Sequence, residues 1–209
     1  TVRRRIKVSG IAWTHGSAGF FNLRLPGDIN DSQPGVFEQL HHPSLYDHRL
    51  GTPQSADPLI SENAAQPDWT FGGTVTHDGR YLLIYVAQCA SNNTALYYKD
   101  LGDPQHPRLD APTVKLIQNF DNIYKVIGSQ GSTLYVLTDK NAPRKRLVAI
   151  DLAHPEETHW RNVIPQSGDT LDDVLHAGGQ LVAVTMHDAA TRVLRFAPDG
   201  KKIGEIKLP

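Results

Sequence analysis

The chain has 209 residues, with 21 Lys and Arg against 22 Asp and Glu, and its formal charge of −1 provides no global basic field to recruit nucleic acid. Hydrophobic residues make up 39% of the chain, and no apolar stretch approaches the length of a membrane-spanning helix. Cys89 is the single cysteine, so no internal disulfide can form. A cytoplasmic setting is expected, or a periplasmic one if a signal peptide was removed upstream.

The opening TVRRRIKVSG is basic, has no signal-peptide apolar core and no initiator Met, and runs almost directly into a strand. It reads as an excerpt from a longer chain. IAWTHGSAGFFNLRL follows, two short apolar runs joined by a glycine-bearing turn. Residues 26–43, PGDINDSQPGVFEQLHHP, form a Pro/Gly/Asp-rich insertion before SLYDHRLGTPQSADPLISEN. The two parts then recur. TVTHDGRYLLIYVA precedes ALYYKDLGDPQHPRLDAPTVKLIQNF, YKVIGSQGSTLYVLTD precedes RLVAIDLAHPEETHWRNVIPQ, and DVLHAGGQLVAVTMHD precedes RVLRFAPDGKKIGEIKLP. Leu45, Leu96 and Leu147 are spaced by 51 residues, and Val193 follows 46 later. A period in this range marks a propeller or solenoid array.

The apolar runs are about six residues long and rich in Val, Ile, Leu, Tyr and Thr, which is strand length and strand composition. Asp78-Gly79 and Gly178-Gly179 supply the positive φ of tight hairpin turns. Each unit reads as four up-and-down strands, a to d. The chain is therefore expected to be all-β, a β-propeller of about four four-stranded blades, near 1–63, 64–120, 121–168 and 169–209, in one domain. The unbroken runs at Tyr81 to Ala87, Leu134 to Leu137 and Leu181 to Val184 predict burial on both sheet faces, as for a blade between two others. An ordinary β-sandwich also buries short strands, but it leaves the period unexplained.

The chemical motifs are mostly negative. No G-x-S-x-G elbow, P-loop, H-E-x-x-H or paired-cysteine zinc motif occurs, so catalytic residues, metal and cofactors are all expected to be none. Ser17 and Ser129 are expected in the a–b turns. His15, His77 and His176 are expected at equivalent turn positions. His41, His42 and His48 read as solvated loop histidines, with no carboxylate or cysteine completing a ligand set. The b–c loops vary widely (26–43, 87–94, 139–145 and 187–191), and variable loops on a rigid scaffold usually carry binding. On that end, KNAPRKR (140–146) concentrates four cations and reads as a solvated loop. Trp69, Thr70 and Phe71 enter a strand there, and Cys89 closes one as a small hydrophobe.

Taken in series, SGIAWTHGSAGFF, LYDHRLGTPQSADPLI, DWTFGGTVTHDGRYLLI with NNTALYYKDL, and RLVAIDLAHPEETHW resemble the propeller of the prolyl oligopeptidase family. The resemblance covers essentially the whole chain and implies four consecutive blades of a seven-bladed propeller that caps an α/β-hydrolase domain of the same parent chain. It implies a parent serine endopeptidase that cuts short peptides after proline, whose triad lies outside these residues and whose propeller restricts access to the active site. It also places substrate-cavity positions near Thr70 and along Ala87, Cys89 and Ala90, although Thr70 stands where the family carries Met and Ala87 where it carries Arg. Phe71, an aromatic beside Thr70 able to stack on a ligand, is the further cavity candidate. A related oligopeptidase of different specificity, or a propeller that only binds or scaffolds, are the competing readings.

Overall fold

The computed structural model describes residues 5–6, 9–26, 42–88 and 91–207. Among them sixteen strands form, in order, because the chain alternates short apolar runs with turn residues and offers no segment long enough for an amphipathic helix. The insertion between the second and third strands lies largely outside these residues. The only helical pieces among the described residues are two three-residue 3-10 turns, Gln54–Ala56 and Glu157–His159, and no helix is long and apolar enough to cross a membrane.

The strands make four four-stranded antiparallel sheets, each taking consecutive strands in order. The first is β1 (Ile11–Trp13), β2 (Gly19–Arg24), β3 (Ser44–Arg49) and β4 (Leu59–Ser61). The second is β5 (Trp69–Val75), β6 (Tyr81–Gln88), β7 (Thr94–Asp100) and β8 (Val114–Ile117). The third comprises β9 (Tyr124–Gln130), β10 (Thr133–Thr138), β11 (Arg146–Asp151) and β12 (Arg161–Ile164). The fourth comprises β13 (Thr170–Ala177), β14 (Gln180–His187), β15 (Ala190–Phe196) and β16 (Lys202–Ile206). Every sheet thus has a hairpin end, where its first strand turns into its second, and an entry end, where its first strand begins.

Residues 1–120 and 121–209 form two compact units. In the first, Ala12, Phe21, Leu23, Leu45 and Ile60 of one sheet meet Phe71, Leu82, Ile84, Val86 and Tyr97 of the other. Each fully buried side chain of this size stabilises the fold by about 1.5–3 kcal/mol. Gly73 lies against the same core, where a Cβ would make ordinary van der Waals contact with Phe21, Leu45 and Leu82. In the second unit, Leu137, Leu147, Val163, Leu171, Val174, Leu181 and Phe196 make the equivalent core.

Double-sided burial holds for Tyr81 to Ile84 and for Leu134 to Leu137. It does not hold in the fourth sheet. There Leu181 and Ala183 are buried while Val182 and Val184 are only half-buried, because within its unit that sheet packs on the third sheet through one face only. The turns differ too. Gly178-Gly179 is the expected two-residue hairpin, with both φ positive. Asp78-Gly79 instead sits in a five-residue connection where only Gly79 has positive φ and Asp78 Oδ1 accepts from Thr76 Oγ1 and the Arg80 amide. Ser17 lies in its turn, but Ser129 is a β9 residue paired with Leu134, and Gly131-Ser132 makes the turn. His176 likewise lies within β13, since the Gly-Gly pair beyond it completes the hairpin unaided.

Candidate functional site

The candidate residues sit at the entry end of the second sheet. Thr70 on β5 pairs across to Ala87 on β6, and Phe71 pairs to Val86. Alternation along the strands sorts them onto opposite faces. Phe71 is 5% exposed and belongs with Val86 to the core shared with the first sheet. Thr70 and Ala87 share the other face, both half-buried. Trp69 packs against the core and meets Phe120 edge to face, ring centroids 5.0 Å apart. The structure therefore brings Thr70 and Ala87 together and directs Phe71 elsewhere. Phe71 also lines a cavity of about 380 Å³ with Tyr97, Glu62 and Lys115. Cys89 and Ala90 lie outside the described residues.

The loop 139–145 is exposed at Asn141, Pro143 and Arg144, as its charges suggested, and its cations also make contacts at the surface. The Arg144 guanidinium donates to the Gly168 carbonyl and its amide to Gln166 Oε1 at 2.8 Å. Lys145 Nζ reaches the Asp172 carbonyl, Lys140 pairs with Glu157 at 3.4 Å, and Arg146 donates to Asn162. All four cations are held within the unit, two of them tying the third sheet to the start of the fourth.

A buried polar cluster in the first sheet was not expected from the sequence. His48 is 0% exposed and lies in β3, not in a loop, and His42 alone of its group is exposed among the described residues. His41 lies outside those residues. His48 Nδ1 stands 2.7 Å from Asp57 Oδ1, and Arg24 reaches Asp57 Oδ2 at 3.4 Å while donating to the Gln54 carbonyl and stacking 3.6 Å from the Tyr46 ring centroid. Register explains it: Phe20, Asn22 and Arg24 of β2 and Ser44, Tyr46 and His48 of β3 share one face, away from the apolar core. The available signal was the nine-residue spacing from His48 to Asp57 inside HRLGTPQSAD, which returns the carboxylate to the imidazole by way of the 3-10 turn.

Among the described residues no three His, Cys, Asp or Glu side chains gather as a metal ligand set. With no α-helix there, no strand-turn-helix elbow exists to raise a serine nucleophile.

Residues 1–209 match the family described as "Prolyl oligopeptidase, N-terminal beta-propeller domain". Prolyl endopeptidase of Elizabethkingia meningoseptica is 35% identical over 204 residues, covering 98% of this chain and 27% of that protein. Prolyl oligopeptidase A of Amanita bisporigera is 39% identical over 165 residues, covering 78% of this chain and 21% of that one. A solved chain from a study of two prolyl endopeptidases superposes with a TM-score of 0.81 at 27% identity, covering 96% of this chain and 28% of its own. Prolyl oligopeptidase B of Galerina marginata, in its apo form, gives 0.83 at 24% identity, over 97% of this chain and 27% of its own, which speaks to fold alone. This chain spans about a quarter of the length of these relatives.

Proposed function

Since the chain belongs to the prolyl oligopeptidase N-terminal β-propeller family, we propose that it is the noncatalytic gating propeller of a serine endopeptidase that cleaves short peptides after proline. It works beside an α/β-hydrolase domain of the same parent, and it admits short peptides while excluding folded proteins. One observation supports the noncatalytic part: the described residues build four-stranded antiparallel sheets joined by turns and loops, and none of them forms a nucleophile elbow. The relatives named prolyl endopeptidase and prolyl oligopeptidase support the parent activity.

Gating depends on sheets that stay packed against one another. In the first unit that seam is Phe71 and Val86 against Phe21 and Leu45. Loosening it tests the role. Phe71→Ala in the full-length parent removes about 3–5 kcal/mol of packing and is expected to speed cleavage of a long proline-containing polypeptide while leaving a short reporter peptide unchanged. Equal effects on both substrates, or none on either, would count against gating.

A further inference from the structure

At the hairpin end of the first unit, opposite Thr70 and Ala87, lies a second cavity of about 410 Å³. It opens between the 14–19 turn and the 101–113 connection from β7 to β8. Pro104, Pro107 and Leu109 form an apolar wall, and two opposite charges, Asp47 and Arg49, enter from β3. A pocket of this size, largely apolar with a few convergent polar groups, is the usual form of a small-ligand site.

The Asp47 carboxylate is incompletely satisfied, and the Arg49 guanidinium is exposed. Asp47 is 6% exposed and its Oδ1 has no hydrogen-bond partner among the described residues. The two charges form no ion pair with each other, although a buried carboxylate left unpaired is costly. Two other polar groups of the lining have partners of their own. His106 Nδ1 is 3.1 Å from Asp103 Oδ2, and Thr14 Oγ1 donates to the Gly19 carbonyl. The 101–113 connection is itself firmly held: Lys99 Nζ donates to the Leu109 and Ala111 carbonyls at 3.1 and 2.8 Å, so the wall is fixed before any ligand arrives.

Complementary charge then selects the ligand. Asp47 and Arg49 are two residues apart on one strand face, so their Cα atoms lie about 7 Å apart along the strand. An extended dipeptide spans about 7 Å from its amino to its carboxyl end. We propose that this cavity binds a dipeptide-sized zwitterion, its ammonium on the Asp47 carboxylate, its carboxylate on the Arg49 guanidinium and an apolar side chain against the proline wall. Burial, with the nearby Asp57 carboxylate adding to it, raises the pKa of Asp47, as for an acid taken out of water. The proposal does not depend on the gating role.

Calorimetric titration of the 209-residue chain with Ala-Leu at pH 7.5 tests it, alongside N-acetyl-Ala-Leu and Ala-Leu amide. The free dipeptide is expected to bind, and each cap to weaken binding about tenfold or more, as loss of a charge-assisted contact does. Asp47→Asn and Arg49→Gln are expected to reproduce the amino-cap and carboxyl-cap losses respectively. The capped peptides probe the same contacts on the unaltered chain should a substitution disturb folding. No binding of the free dipeptide at millimolar concentration, or equal binding of free and capped forms, would overturn the assignment. Sensitivity to one cap alone would overturn its zwitterionic character.

Discussion

Burial pushes the Asp47 carboxyl up from its ordinary value near 3.8 to about 6, with the neighbouring Asp57 carboxylate adding to the effect and His48 and Arg49 opposing it. The folded state therefore keeps its proton between pH 4 and 6 while the unfolded chain loses it. Stability falls as pH rises through that window, by about 1.4 kcal/mol for each pH step of one, or about 3 kcal/mol in all. Below pH 4 both states are protonated and the cost vanishes. Asp47→Asn is expected to stabilise the chain by about 1–3 kcal/mol at pH 7 and hardly at all at pH 4, read from urea unfolding at the two values. A pH-independent gain would reject this explanation. The buried His48–Asp57 contact is a separate contribution to stability. His48→Leu leaves the buried Asp57 carboxylate with Arg24 as its remaining ion-pair partner among the described residues, at an expected cost of about 2–4 kcal/mol. A loss under 1 kcal/mol in the same unfolding measurement would show that Arg24 alone suffices.

Two turns in the second unit carry backbone demands that their residues meet to different degrees. Asp188 and Ala189 form the two-residue hairpin between β14 and β15, both at positive φ, 44° and 62°. That is the type I′ requirement, which favours Asn-Gly. Ala189→Gly is expected to gain about 1 kcal/mol by removing the Cβ penalty, seen as a melting temperature higher by about 2–4 °C. An unchanged or lower value would mean that the turn bears no strain. Gly200, in the turn between β15 and β16, is the reverse case. Its φ is 93°, and a Cβ there would strike the Val163 carbonyl of the third sheet. Gly200→Ala is expected to cost about 2–4 kcal/mol and to loosen the third sheet from the fourth. Amide exchange at Val163 that stays as slow as in the unsubstituted chain would contradict it. Both turns were visible as turn-forming stretches, but their conformations were not, because a φ sign depends on the strand register on each side.

For the molecule as a whole, the 209-residue chain by itself is expected to hydrolyse no proline-containing reporter peptide. Activity in the purified chain that a serine-directed inhibitor abolishes would overturn the noncatalytic reading. The amino-acid sequence determined the all-β class, the four-strand unit and the family, because strand length, turn glycines and a spacing near 51 residues are local or periodic properties of the chain. It also showed where Thr70 and Ala87 fall, since both belong to motifs at the ends of strands. What only the tertiary structure decided is which face each residue occupies and what it meets there. His48 and Asp57, nine residues apart, come within 2.7 Å because a 3-10 turn folds back over β3. Asp47 and Arg49 share a cavity with Pro104 and Leu109, more than fifty residues away, because the first two sheets pack face to face. The four cations of residues 140–146 read alike in sequence, yet each found a separate partner. Pairing across sheets depends on register and packing, which no run of neighbouring residues encodes.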